Sequence, residues 1–285
     1  MKKGQQARNF SLSGFIKLIR VQNLAIIVLS QYLLALFLLN DIELFNLRLF
    51  LLSFCTVLLA AAGYIINDYY DVKIDYLNKP DRVIVGKVLK RRVVLFWHTF
   101  LNFLSIGLGF YLSWKIGLIF FFTAFMLWFY SNQLKRLPFI GNFTVALLTG
   151  LSLSVVSIYF QQKEILVNIY AVFAFGISLI REIIKDMEDW QGDAKFGCKT
   201  LPIVLGLRKT KLIVFVLVFS FGFLIFYLTQ FLDNIILYYY FSAISLFIIY
   251  FLHRLSIADK VKDFHFLSNY CKLIMLSGIL SMLFF

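Results

Sequence analysis

The feature that most constrains this 285-residue chain is a series of apolar runs, each long enough for one helix to cross a bilayer. Such a helix needs about 20 mostly apolar residues. Nine runs qualify, at residues 20–39, 47–66, 93–112, 115–131, 139–160, 164–181, 211–231, 234–252 and 266–285. With 61% hydrophobic and only 15% charged residues, the composition excludes an ordinary soluble globule. We therefore predict an all-α polytopic membrane protein, a bundle of nine transmembrane helices forming a single domain over residues 1–285.

The distribution of basic residues tests this count and predicts the orientation. The N-terminus and the connections after the second, fourth, sixth and eighth runs carry 24 of the 28 Lys and Arg. The opposite side has only Arg48, Lys115 and Lys163, and Lys272 lies inside the last run. Cytoplasmic loops of membrane proteins are enriched in Lys and Arg. We expect a cytoplasmic N-terminus and a C-terminus on the other side, and we attribute the net charge of +13 to topology and not to a nucleic-acid partner.

Two segments on the predicted cytoplasmic side carry carboxylates with the same spacing. The first follows the second apolar run and the second follows the sixth, and their acidic residues are Asp68, Asp71 and Asp75, and Asp186, Asp189 and Asp193. Residues separated by three and then four positions share one face of a helix. Each segment is therefore expected to present a stripe of three carboxylates at the cytoplasmic end of a membrane helix.

These stripes predict a site for magnesium and a polyanion. Like charges repel one another, and they are costly near a membrane unless a cation lies among them. Oxygen ligands without His or Cys favour hard cations, and Mg²⁺ combines a few carboxylates with substrate phosphates. We expect two or more Mg²⁺ ions, held by the six aspartates. Basic residues beside the stripes would bind the remaining phosphate oxygens, and the candidates are Lys79, Arg82, Arg181, Lys185 and Lys199.

The two segments resemble the signature motifs of the UbiA superfamily of intramembrane prenyltransferases. The first motif appears as Asn67, Asp68, Asp71 and Asp75, and the second runs from Arg181 through Lys185 and Asp186 to Asp193. A third likeness is the Tyr130-Ser131 and Leu134-Lys135 segment after the fourth run. The chain departs from the family in having Val21 and Val83 at positions where proline is common.

The resemblance implies Mg²⁺-dependent transfer of a prenyl group, with geranylgeranyl as the expected group, from an allylic diphosphate. Asp68 and Asp71 are the expected catalytic metal ligands, and Asn67 is expected to orient a phosphate or a water on the metal. Tyr130 would shield the allylic cation with its aromatic face. Lys135 joins the expected substrate-binding residues.

The acceptor is left open between a lipid and an aromatic acid. The form of the second motif is most similar to the branch that alkylates geranylgeranylglyceryl phosphate in ether-lipid synthesis. The alternative is an aromatic-acid acceptor, as in the synthesis of quinone precursors. A cation-coupled transporter is a rival function, because repeated motifs are common in transporters. It is disfavoured because every motif acid lies at the cytoplasmic end of a run and none at mid-membrane.

Overall fold

The computed structural model describes residues 11–162, 165–230 and 235–285, and within these ranges the regular structure is helical apart from one isolated bridge between Val85 and Leu89. Short 3₁₀ turns occur at Pro80–Arg82, Leu134–Arg136 and Ser281–Phe284. The α-helices are α1 (Leu12–Leu18), α2 (Val21–Leu38), α3 (Leu47–Asn78), α4 (Arg91–Leu112), α5 (Trp114–Asn132), α6 (Ile140–Phe160), α7 (Ile165–Lys195), α8 (Leu201–Leu205), α9 (Leu207–Thr229), α10 (Ile235–Ile257) and α11 (Val261–Leu280).

The all-helical membrane fold predicted from the apolar runs is confirmed. Eight stretches of the described residues are long and apolar enough to cross a membrane, and they correspond to α2 to α7, α9 and α11 with its following 3₁₀ turn. The predicted span 234–252 falls on α10 apart from its first residue, which lies outside the described residues, and Ser242–Ile257 of α10 is a shorter apolar helix. The total of nine spans therefore stays a prediction.

The helices α3 and α7 continue well beyond the apolar runs that predicted them. The runs end at residues 66 and 181, whereas α3 extends to Asn78 and α7 to Lys195. The acidic segments are therefore turns of these helices and not separate loops, and no proline interrupts either segment. Helix α3 ends at Lys79, whose φ of −144° and ψ of 61° lie outside the helical region, and the helical conformation is disfavoured for the residue before a proline such as Pro80. Helix α7 ends before Gly197, whose φ of 73° is left-handed.

The described residues form two compact units. The first contains the residues up to Tyr32 and Phe45–Leu134, and α3 is its central helix, packed against α1, α4 and α5. Its core includes Leu58, Ala62 and Ile65 of α3. In the interior, the Ser105 hydroxyl of α4 donates a hydrogen bond to the Cys55 carbonyl of α3 at 2.8 Å. This packing holds the helix that carries the first acidic stripe.

The second unit contains Leu33–Leu44 and the described residues from Lys135 onward, and α7 is its central helix. Helices α6, α8, α9 and α11 pack against α7. Gly150 of α6 allows a close approach, because a Cβ atom there would lie 3.0 Å from the Ala171 carbonyl oxygen of α7. Small residues at such crossings are typical of membrane helices. The α6–α7 contact is therefore close enough for side chains of α6 to reach the second stripe.

We expect Gly150→Leu to destabilise the protein by about 1–3 kcal/mol, because the added side chain would push α6 away from α7. The measurement is the unfolding of the purified protein in detergent. Gly222→Leu on α9 is the matched control, because a Cβ atom at that position meets nothing within 4 Å. Equal stability of the two variants would contradict a tight α6–α7 crossing.

Candidate active site

The first stripe occupies the last turns of α3. Asn67, Asp68, Asp71 and Asp75 are all half-buried. Since the helix is continuous to Asn78, the three aspartates lie along one helical face, as their spacing predicts. The stripe is thus carried by regular, rigid backbone.

Arg20 is a basic partner of the first acid in this stripe. Its Nη2 lies 2.6 Å from Oδ1 of Asp68, and its guanidinium lies over the ring of Tyr64, 5.0 Å from the centroid. Arg20 joins α1 to α2 with a φ of 54°, a left-handed conformation that costs a non-glycine residue about 1–2 kcal/mol. The ion pair and the ring contact compensate for that cost. Arg20 was not among the predicted site residues, because it lies 48 positions from Asp68 and no local residue spacing connects the two.

The remaining predicted residues of the first unit lie near the end of α3 or on α5. Lys79 caps α3, and its backbone N–H donates to the Asp75 carbonyl at 2.8 Å. Arg82 closes the 3₁₀ turn after it, and the side chain of Arg82 lies outside the described part of the structure. Tyr130 is half-buried in the last turn of α5.

The second stripe occupies the last turns of α7, where Asp186, Asp189 and Asp193 are half-buried along one face. Asn142 of α6 donates a hydrogen bond from Nδ2 to Oδ2 of Asp186 at 2.8 Å. Asn142 was not among the predicted site residues, because a single asparagine in an apolar helix forms no recognisable pattern. Its role depends on the crossing of α6 and α7.

Two predicted phosphate-binding residues of α7 converge on one buried acid. Nη1 of Arg181 lies 2.8 Å from Oε1 of Glu182, and Nζ of Lys185 lies 2.9 Å from Oε2. The Glu182 side chain is only 7% exposed, whereas those of Arg181 and Lys185 are 18% and 27% exposed. Glu182 therefore holds both cations on α7 while part of each remains accessible. The spacing of Glu182 and Lys185 by three residues could have indicated this pair from the sequence.

A second buried acid of α7 is linked to α11. Oε1 of Glu188 lies 3.0 Å from Nδ1 of His265, and the amide of Asn269 lies 3.1 Å from Nε2 of the same ring. Glu188 and His265 were given no role in the sequence analysis. The contact attaches α11 to the turn of α7 that bears Asp186 and Asp189.

Lys135 and Lys199 are near one another along the backbone of the second unit. The N–H of Lys199 donates to the carbonyl of Arg136 at 2.8 Å, which joins the segment after α7 to the 3₁₀ turn containing Lys135. Lys135 is half-buried and Lys199 is exposed. The two lysines are thus brought together by a main-chain hydrogen bond, although they are far apart in sequence.

The donors of the two stripes suit Mg²⁺. Among the described residues, no three His, Cys, Asp or Glu side chains already converge as a metal cluster. Mg²⁺ needs no such cage, because one or two carboxylates commonly hold it and waters and substrate phosphates complete its shell. Six half-buried aspartates supply hard oxygen donors of this kind. The donor chemistry therefore fits a Mg²⁺ ion that is bound jointly by protein carboxylates and a phosphate.

Most of the chain matches a known protein family. Residues 27–276 match the model described as the UbiA prenyltransferase family. A digeranylgeranylglyceryl phosphate synthase of Thermococcus gammatolerans is 37% identical over 202 residues, which cover 70% of this chain and 71% of the relative. Its counterpart in Methanosphaera stadtmanae is 36% identical, and the aligned part covers 61% of this chain and 63% of the relative.

Solved structures show the same fold. One from a study of digeranylgeranylglyceryl phosphate synthase has a TM-score of 0.68 at 26% identity, covering 95% of this chain and 96% of the other. A UbiA homologue from Archaeoglobus fulgidus bound to GPP and Mg²⁺ has a TM-score of 0.66 at 15% identity, covering 94% and 99% of the two chains. The helical architecture is therefore shared over nearly the whole length.

We expect Glu182→Gln to cost about 1–3 kcal/mol of stability, because Arg181 and Lys185 lose their shared carboxylate in a poorly solvated position. The measurement is unfolding of the purified protein by titration with SDS. Asp259→Asn is the control, since Asp259 pairs with Lys211 at 2.8 Å but its side chain is 86% exposed. That change should cost about 0.5 kcal/mol or less. An equal loss in both variants would show that Glu182 does not hold the two bases.

Proposed function

Because the chain belongs to the UbiA prenyltransferase family, we propose that it transfers a prenyl group from an allylic diphosphate to a membrane-associated acceptor. The observation that carries the proposal is the pair of equally spaced carboxylate stripes on α3 and α7, within a chain whose residues 27–276 match that family. A magnesium site built from aspartates suits a diphosphate and has no evident use in a structural protein.

In the proposed reaction, the C1–O bond of the allylic diphosphate breaks and its electron pair leaves with the diphosphate. Bound Mg²⁺ would neutralise the charge that develops on the leaving oxygens. The aspartates of the two stripes would hold the cations, and Asn67 would orient a phosphate. Phosphate oxygens that the metal ions do not reach would be bound by four basic residues, Lys79, Arg82, Lys185 and Lys199. An acceptor hydroxyl then forms the new C–O bond, and its proton passes to the released diphosphate or to water.

We assign Tyr130 to the allylic cation. An aromatic face stabilises a cation by about 0.5–2 kcal/mol without reacting with it. The half-buried position of Tyr130 near the end of α5 agrees with such a role. The isoprenoid tail would lie among the apolar helices, with the charged chemistry on the cytoplasmic side, in the orientation that the basic residues predict.

For the acceptor we propose geranylgeranylglyceryl phosphate, with geranylgeranyl diphosphate as the donor. Relatives that are 36% and 37% identical bear the name digeranylgeranylglyceryl phosphate synthase. A phosphorylated acceptor also needs cations of its own, and Arg181 and Lys135, which are not assigned to the diphosphate, belong to the unit that carries the second stripe. An aromatic acid would need only one cation and an aromatic slot.

Replacing either stripe should remove the reaction. We expect Asp71→Asn and Asp189→Asn each to lower Mg²⁺-dependent turnover by about 100-fold or more, because each removes charge that holds a cation at the leaving group. The assay measures pyrophosphate release from geranylgeranyl diphosphate by protein reconstituted in lipid. Asp81→Asn is the control, since Asp81 is exposed in the 3₁₀ turn after α3 and lies off the stripe. Full turnover by Asp71→Asn would refute a role of the first stripe in catalysis.

The acceptor is identified by offering geranylgeranylglyceryl phosphate and 4-hydroxybenzoate separately, with labelled geranylgeranyl diphosphate and either Mg²⁺ or EDTA. We expect a labelled lipid only with the glycerol phosphate and only with Mg²⁺. Product with 4-hydroxybenzoate alone would overturn the lipid assignment and retain prenyl transfer. Failure of the diphosphate to bind at all would reject the prenyltransferase proposal and favour transport.

A further inference from the structure

The asparagine on α6 has an unusual position beside the second stripe. Asn142 is only 5% exposed, and its Nδ2 donates to Oδ2 of Asp186 at 2.8 Å. This is the one hydrogen bond to the Asp186 side chain among the described residues. Hydrogen bonds to an ionised group are stronger than those between neutral groups. Asn142 therefore fixes one oxygen of the Asp186 carboxylate and leaves Oδ1 for another ligand.

The amide oxygen of Asn142 is buried without a hydrogen-bond partner among the described protein atoms. Such a group costs about 1–3 kcal/mol, so native proteins retain few of them. Exchanging the amide oxygen and nitrogen would not relieve this, because the oxygen would then face the Asp186 carboxylate and the N–H group would lose its acceptor. An unpaired acceptor next to Asp186, the proposed ligand of the metal, indicates that a hydrogen-bond donor enters the site together with the metal ion.

The backbone around Asn142 keeps the side chain in this position. Helix α6 begins just after a γ-turn, in which the N–H of Ile140 donates to the Pro138 carbonyl at 2.7 Å and Phe139 has a φ of 66°. This turn is rare and strained for a non-glycine residue. The close approach of Gly150 to α7 holds the helix further along. Asn142 thus lies between two constraints that keep α6 in register with the second stripe.

We propose that Asn142 is a positioning residue of the metal site. Its amide N–H orients Asp186 for the cation, and its amide oxygen accepts a hydrogen bond from the hydration shell of that cation. The inference rests on the proposed function, because it takes Asp186 as a ligand of Mg²⁺. Partners that orient a metal ligand typically change metal affinity 10- to 100-fold when they are replaced.

The test measures Mn²⁺ binding by electron paramagnetic resonance, with the purified full chain and inorganic pyrophosphate. We expect Asn142→Leu to raise the dissociation constant for Mn²⁺ by at least about tenfold. Asn142→Ser retains a short donor and acceptor and should lose less affinity. Thr144→Val is the matched control, because Thr144 is 5% exposed on the same helix and its hydroxyl donates only to the Ile140 carbonyl at 2.8 Å. It should bind Mn²⁺ as the unaltered protein does.

Melting temperatures recorded without metal separate positioning from folding. A purely structural role predicts lower melting temperatures with unchanged Mn²⁺ affinity in the folded variants, and that result would overturn the proposal. If Asn142→Leu does not fold, Asn142→Ser decides, and its binding Mn²⁺ as tightly as Thr144→Val would also overturn it. Absence of Mn²⁺ binding by the unaltered protein would instead refute the proposed function on which the inference rests.

Discussion

The repulsion among closely spaced carboxylates is the constraint on which the site depends. Three aspartates on one helical face, half-buried and near a membrane, are unfavourable unless other groups balance them. In each unit, another residue of the same unit provides such a group. In the first unit the guanidinium of Arg20 contacts Asp68, and in the second the amide of Asn142 contacts Asp186. These contacts offset part of the repulsion within each stripe, and they leave other carboxylate oxygens for the cation that the proposed function requires.

Helix continuity makes this arrangement rigid. Helices α3 and α7 contain 32 and 31 residues, whereas about 20 residues cross the hydrocarbon core. The extra turns carry the acids on a backbone whose hydrogen bonds are already formed, so binding a ligand does not require these segments to be ordered first. The two helices then end just before Pro80 and Gly197, shortly after the last acid of each stripe. A charged site is held in this way by helices whose stability comes from apolar packing elsewhere.

The sequence was sufficient to predict the helices and the faces of the stripes, because apolar length and i, i+3, i+7 spacing are local properties. It was insufficient for the partners of the acids. Arg20 reaches Asp68 through a left-handed backbone conformation, Asn142 reaches Asp186 through a helix crossing, and His265 reaches Glu188 across 77 positions. Such contacts depend on how helices pack, and no residue spacing encodes them. The Glu182–Lys185 pair is the exception, since it lies within one helical turn.

The first acids of the two stripes have different kinds of partner, although the spacing of the stripes is the same. A full positive charge contacts Asp68, so one charge of the first stripe is already balanced by the protein. A neutral amide contacts Asp186, and the two nearest bases of α7, Arg181 and Lys185, are bound to Glu182. The first acid of each stripe is therefore held by a different kind of group, an ionised guanidinium on one side and a neutral amide on the other, and an ion pair offsets more negative charge than a neutral donor does. In the proposed role of Asn142, this neutral contact orients one oxygen of Asp186 without adding a positive charge beside the carboxylate.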